Sequence, residues 1–180
     1  RSGRFVERAR MFTSREEVDA AAVPIPDGLV CPALTAMAAR AGGHVVAGVA
    51  ERADGRVYNS AVVVGPHGVV GIYRKVHLFA EEKRWFAPGD LGFRVWDLGG
   101  VKVGVMVCFD WFFPESMRTL ALRGAEVVAH PANLVLPYCP GSMPTRCLEN
   151  RVFAVTANRV GLEERGGKRL AYIGRSQVVG

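Results

Sequence analysis

The sequence predicts an α/β fold built on a mixed sheet. Three observations lead there. Short valine-rich apolar runs alternate with helical stretches along most of the chain, the pattern of layered α/β proteins. Two pairs of those runs close around turns that contain glycine, so part of the sheet is antiparallel. Hydrophobic residues are 49% and charged residues 22% of the 180, a globular composition able to build a sizeable core.

The elements follow in order. Pro24, Pro26, Asp27 and Gly28 mark a loop, and residues 30–41 (VCPALTAMAARA) read as a helix stopped by Gly42 and Gly43. Residues 44–50 (HVVAGVA) read as a buried strand, followed by the polar turn ERADGR. Residues 57–64 and 69–74 flank GPHG and form a hairpin. A second hairpin joins residues 93–97 and 101–107 around Leu98-Gly99-Gly100, and its second arm runs straight into Cys108. Pro114 suits the first turn of a helix and Glu115 its positive end. That helix puts Met117, Leu120 and Ala121 on one face and stops at Gly124. A strand over 125–129, a helix over about 142–150 and a strand over 152–157 complete the pattern, with strand-like GRSQVV at the end.

Several classes of protein are disfavoured. No apolar run approaches the roughly 20 residues that span a bilayer, because Gly, Arg or Pro interrupts each one. The opening RSGRFVERAR lacks the apolar stretch of a signal peptide, so a cytoplasmic protein with no membrane partner is expected. The net charge of +6 comes from scattered arginines without an aromatic-interleaved stripe, which favours a solvated basic surface over a nucleic-acid interface. The cysteines are Cys31, Cys108, Cys139 and Cys147; no pair has CxxC spacing, and no Cys/His cluster has zinc-ligand spacing. Reduced thiols and no metal are expected. The chain begins with Arg1 and stops at Gly180 directly after a strand-like run, so both ends read as cut.

Two residues stand out for chemistry. Cys108 lies where an apolar strand turns through FDWFFPE into a helix, a place where backbone N–H groups can lower a thiol pKa and stabilise developing negative charge. A lone cysteine there is equally a small buried hydrophobe. Lys75 follows an apolar strand in GIYRKVHLF; it either extends to solvent or, desolvated, carries positive charge to an oxyanion. Glu82 is the nearest acid able to handle a proton.

The segments YRKVHLF, EEKRWFAPGDLGFRVWDLG, VKVGVMVCFDWFFPES, RTLALRGAEVVAHPANLVLPY, RCLENRVFAVTANRVG and GRSQVV resemble successive signatures of the nitrilase superfamily of carbon–nitrogen hydrolases. Within it the likeness is nearest to the small-aliphatic nitrilases of hyperthermophilic archaea, and it runs from Phe12 to Gly180. The resemblance places the nucleophile on Cys108, the catalytic lysine on Lys75 and the accessory glutamate on Glu82. It gives the Phe109 N–H a share of the oxyanion and puts Asn133 in a loop near the pocket. Glu115 with Arg118, and Arg146 with Glu149 and Asn150, become supporting pairs. His44, His77 and His130 become core or loop residues. The implied reaction is acyl transfer through a thioimidate or thioester on Cys108, with no metal or organic cofactor. A partial α-β-β-α sandwich is implied, as one truncated hydrolase domain over residues 1–180 that forms a homodimer when full length.

One departure matters. The family's general-base glutamate should fall near Arg4, but GRFVERAR does not match the motif and Glu7 lies three residues out of register. The first strand, first helix and base, and the last strands, are expected to lie outside these residues. Two classes of function stay open: a carbon–nitrogen hydrolase acting on a small nitrile, or on an amide or N-carbamoyl compound, and a catalytically dead truncated homologue with a role in assembly. Having both Lys75 and Cys108 favours the hydrolase. The run Phe109, Trp111, Phe112, Phe113 either narrows a pocket for a small substrate or packs the helix.

Overall fold

The computed structural model describes residues 11–180, and these fall into two compact units. The first comprises the chain up to Asp90 with Glu163–Lys168; the second comprises Leu91–Leu162 with Arg169–Gly180.

The first unit opens with helix α1 (Arg15–Ala21). Ser14 caps it by accepting the Glu17 N–H, and Glu16 and Glu17 sit at its positive end. The Ser14-x-x-Glu17 spacing is a helix-start signature. Helix α2 (Val30–Ala41) matches the expected bounds and ends at Gly42, whose φ of 62° requires no Cβ penalty. Strands β1 (Val45–Ala53), β2 (Arg56–Gly65) and β3 (Gly68–Arg74) form an antiparallel sheet with β2 in the centre. Asp54 and Gly55, both at positive φ, close the β1–β2 hairpin as a two-residue turn whose twist matches the strands. Helix α2 lays Val30 and Leu34 against Val62 and Val64 of β2, forming one core cluster. A second cluster gathers Val18, Ala22, Val57, Leu78 and Phe86. Helix α3 (Glu82–Trp85) is a single turn.

The second unit holds a five-stranded sheet. Strands β4 (Val95–Asp97) and β5 (Lys102–Val105) form the expected antiparallel hairpin. A 3-10 turn (Cys108–Phe112) and helix α4 (Pro114–Leu122) lead to β6 (Val127–Ala132), and helix α5 (Tyr138–Asn150) leads to β7 (Phe153–Asn158). Strands β5, β6 and β7 run parallel, since each connection is a helical crossover. Val160–Arg165 (β8) and Lys168–Ile173 (β9) form a separate hairpin around Gly166-Gly167, and β10 (Gln177–Val179) pairs antiparallel with β7.

Several boundaries differ from the sequence reading: β1 runs on through Glu51, Arg52 and Ala53, so the expected polar turn ERADGR shrinks to Asp54-Gly55, β4 begins two residues later than 93, and β6 extends three residues past 129. Strand β6 begins two residues later than expected. Helix α5 begins four residues earlier, because Pro140 sits in its first turn, where a missing N–H breaks no helical bond. The arm expected to reach residue 107 leaves the sheet at Val105. Gly104 explains how closely α4 packs on β5: a Cβ there would lie 2.8 Å from Leu120 Cδ2. Among the described residues, no helix is long and apolar enough to cross a membrane.

Candidate active site

Lys75 directly follows β3, and its side chain is 0% exposed, so it does not extend to water. Its backbone is held at both ends: the N–H donates to Asn59 O at 2.8 Å and the carbonyl accepts from Gly89 N–H at 2.9 Å. Gly89 can approach this closely only as glycine, since a Cβ would stand 2.0 Å from Arg74 O. The ammonium donates from Nζ to Glu82 Oε2 at 2.7 Å. Glu82 also accepts the Phe79 N–H at 2.8 Å and Asn59 Nδ2 at 3.1 Å, so donors from three places fix its carboxylate. A buried ammonium needs such a partner. The two residues expected to work together are therefore in contact. Asn59, not singled out by sequence, orients the acid.

One residue before Lys75, Arg74 carries a second buried pair. Its guanidinium donates to Glu51 from Nη2 at 2.7 Å and to Asp90 Oδ1 from Nη1 at 2.9 Å. Ser60 Oγ donates to Glu51 Oε2 at 2.6 Å, and Tyr58 OH donates to Asp90 Oδ2 at 3.1 Å. The Tyr58 ring lies 4.1 Å beneath the guanidinium carbon, within cation–π range. Its bonds to Glu51 hold the Arg74 proton more tightly than usual, and the guanidinium holds the Asp90 carboxyl below its usual range.

Cys108 lies in the second unit, with Phe109 and Asn133. Beyond β5 the chain stays extended through Val107, then turns at Cys108, whose φ is 44°. A non-glycine residue in this left-handed region costs on the order of 1 kcal/mol and persists only where neighbours impose it. Those neighbours are identifiable. Asp110 accepts the Val107 N–H on Oδ2 at 2.8 Å, and its own N–H donates to Val107 O at 3.1 Å. His130 Nε2 lies 2.9 Å from Cys108 O, and His130 Nδ1 lies 3.1 Å from Thr156 Oγ1. Asp110, His130 and Thr156 are all buried, whereas Cys108 is partly exposed. The thiol thus stands on a turn braced from both sides.

His130 is a core residue, as expected, but it also bonds the peptide of Cys108, which the sequence reading did not foresee. A lone acid among aromatic residues in CFDWFF was the readable signal for Asp110. Asn133 is exposed, and its neighbour Leu134 is anchored through an N–H donated to Asn158 Oδ1 at 2.8 Å. Arg146 pairs with Glu149 at 3.1 Å, and Asn150 Nδ2 donates to Arg146 O at 2.8 Å. Arg118 donates to the Glu149 carbonyl at 3.1 Å, so it braces α5. The aromatic run packs on itself: Phe109 stacks on Phe112 at 5.4 Å and meets Phe113 edge-on at 5.5 Å. The position expected for the general base, near Arg4, and Glu7 both lie outside the described residues. Among the described residues, no group of three or more His, Cys, Asp or Glu side chains is placed to hold a metal.

The other three thiols are buried. Burial pushes Cys31 and Cys147 up, and burial together with the charge of Cys108 pushes Cys139 up to about 12. Less thiolate at neutral pH means slower alkylation. Iodoacetamide at pH 7.5 is therefore expected to label Cys108 at least about tenfold faster than the others in the native protein. Peptide mapping after a time course checks this; rapid native labelling of Cys139 contradicts it.

The second unit thus carries a partly exposed thiol on a strand-to-helix turn, and the first a buried lysine bonded to a partly exposed glutamate. The chain belongs to the carbon-nitrogen hydrolase family, whose signature it matches over residues 5–180. It is 60% identical over 167 residues to a nitrilase of Pyrococcus abyssi, covering 93% of this chain and 62% of that protein. It is 43% identical over 139 residues to an (R)-stereoselective amidase of a Pseudomonas species, covering 75% and 49%. Among solved structures, an amidase from Nesterenkonia sp. AN1 with acrylamide added at its active-site cysteine matches with a TM-score of 0.76 and 33% identity, covering 93% of this chain and 63% of that one. A carbon-nitrogen hydrolase from Helicobacter pylori G27 matches at 0.75 and 32%, covering 81% and 57%. The fold is thus of nitrilase type, in part: the chain spans 62% of the Pyrococcus nitrilase and 57% of the Helicobacter hydrolase.

Proposed function

We propose that the full-length protein hydrolyses a small nitrile to a carboxylic acid and ammonia through a covalent adduct on Cys108. The observation that carries this reading is the thiol of Cys108, partly exposed on a left-handed turn whose flanking peptide groups are held by buried Asp110 and His130. A general base takes the thiol proton as sulfur attacks the nitrile carbon, and the nitrile nitrogen gains a proton, giving a thioimidate. Water adds to that carbon, ammonia leaves and a thioester remains; a second water releases the acid and restores the thiol. Lys75 stabilises the negative charge that develops at the substrate heteroatom, and Glu82 holds the ammonium and handles protons. The N–H of Phe109 shares the charge, and Asn133 lies beside the substrate. The nitrile is placed first because of the 60% identity to a nitrilase.

An amide or N-carbamoyl substrate is the second reading, supported by the (R)-stereoselective amidase and by an N-carbamoylputrescine amidase of Solanum lycopersicum, 33% identical over 149 residues. We further propose that these residues belong to one catalytic domain and that the full-length protein is a cytoplasmic homodimer. Ammonia release from short dinitriles and their amides tests the order. Nitrile turnover exceeding amide turnover is expected, and turnover of amides alone reverses the choice. No release from any of them, with a Cys108 thiol no faster than free cysteine, favours an assembly role.

A further inference from the structure

We infer that His130 is a positioning residue that aims the Phe109 N–H by gripping the carbonyl of Cys108. The inference rests on the reading of Cys108 as nucleophile and assigns a task to a histidine that otherwise only fills the core.

A carbonyl oxygen only accepts hydrogen bonds, so the 2.9 Å contact requires His130 Nε2 to carry a proton. In the neutral ring Nδ1 is then an acceptor, and Thr156 supplies the hydroxyl donor at 3.1 Å. His130 on β6 and Thr156 on β7 are direct partners in the parallel pairing of those strands, and they are 1% and 2% exposed. The ring is therefore fixed by the sheet, and the proton is on the nitrogen that faces Cys108.

The carbonyl of Cys108 and the N–H of Phe109 belong to one planar trans peptide and point in opposite directions. Whatever fixes the first aims the second. Cys108 sits at φ 44°, which its backbone alone disfavours, so the peptide has reason to rotate once the grip is lost. Asp110 holds the preceding peptide by donating its own N–H to Val107 O at 3.1 Å. His130 acts through Phe109, on the charge formed when sulfur attacks, and not on the ionisation of the thiol.

The test uses the full-length protein and its best substrate from the nitrile and amide panel. His130→Leu is expected to lower kcat about 30- to 100-fold with KM within about threefold, approaching the loss typical of an oxyanion donor. Alkylation of Cys108 by iodoacetamide, which needs thiolate but no oxyanion donor, is expected to change less than about threefold. His130→Gln restores a side-chain N–H donor and is expected to recover at least about tenfold of the lost kcat. Nitrogen-15 NMR of the wild-type imidazole is expected to show Nε2 protonated. A His130→Leu enzyme with kcat within threefold of wild type overturns the inference. So does alkylation that falls in step with kcat, or an unprotonated Nε2. A wild-type protein without turnover sinks the nucleophile reading instead, and the NMR result then decides the His130 contact by itself.

Discussion

Replacing Cys108 with alanine in the full-length protein is expected to lower ammonia release by roughly 10⁴-fold or more, because it removes the sulfur on which the proposed covalent adduct forms. Folding should hardly change. Alanine keeps the Cβ and therefore the same left-handed cost at φ 44°, and the lost sulfur was only partly buried. A glycine at the same position removes that cost as well, so Cys108→Gly should be about 1 kcal/mol more stable than Cys108→Ala while equally inactive. Steady-state ammonia assays and urea melts of the two variants read both effects. Retained turnover in Cys108→Ala ends the proposed mechanism, and a glycine variant less stable than the alanine one removes the strain at this turn from the account. The turn would then be shaped by something other than the need to present a thiol.

The largest effect on stability is expected from Arg74→Met. It leaves the Glu51 carboxylate, 2% exposed, with Ser60 as its remaining bonded partner, and breaking a buried ion pair in this way costs about 3–5 kcal/mol. For a chain of this size that corresponds to a fall in Tm of roughly 10 °C. Asp90 also loses its partner, but its side chain is 49% exposed and water replaces much of that interaction. The double variant Arg74→Met with Glu51→Leu should recover most of the loss, since an apolar pair of similar volume needs no charge compensation. Thermal melts of the two variants decide the matter: a single variant within 1 kcal/mol of wild type refutes the buried-pair account. The Asp90 contribution has its own signature. Its folded pKa is lowered, so its share is present above the unfolded value near ~3.9 and disappears as pH falls through the folded value. The loss of stability between pH 6 and pH 3 should be slightly smaller in Asp90→Asn.

Much of the local structure was legible in the chain because it follows from backbone and turn chemistry. Gly42, the Leu98-Gly99-Gly100 turn, Pro114 and Gly124 punctuated elements that the structure places almost where they were expected. Helix α1 and the β8–β9 hairpin went unread, although Ser14-x-x-Glu17 and Gly166-Gly167 are recognisable signals for them. Helix α5 starts four residues before the expected 142, with Pro140 in its first turn, where a missing N–H loses no helical bond.

The site divides along the same line. Sequence by itself determined which atoms are available: a thiol at a strand-to-helix turn, a lysine at the end of a core strand and an acid seven residues beyond it, with the family likeness running through all three. It could not decide whether Lys75 reaches water or stays inside, because both endings suit an apolar strand. Tertiary structure decided that, by closing Asn59, Phe79 and Gly89 around the lysine and its acid. It also decided what His130 does. A histidine in VVAHPA looks like core from its neighbours in the chain, and only the parallel pairing of β6 with β7, and the turn carrying Cys108, bring its two ring nitrogens to a hydroxyl and a carbonyl. Hydrogen bonds between residues 22 and 26 positions apart leave no periodic trace in a sequence, so their partners exist only once the sheet has formed.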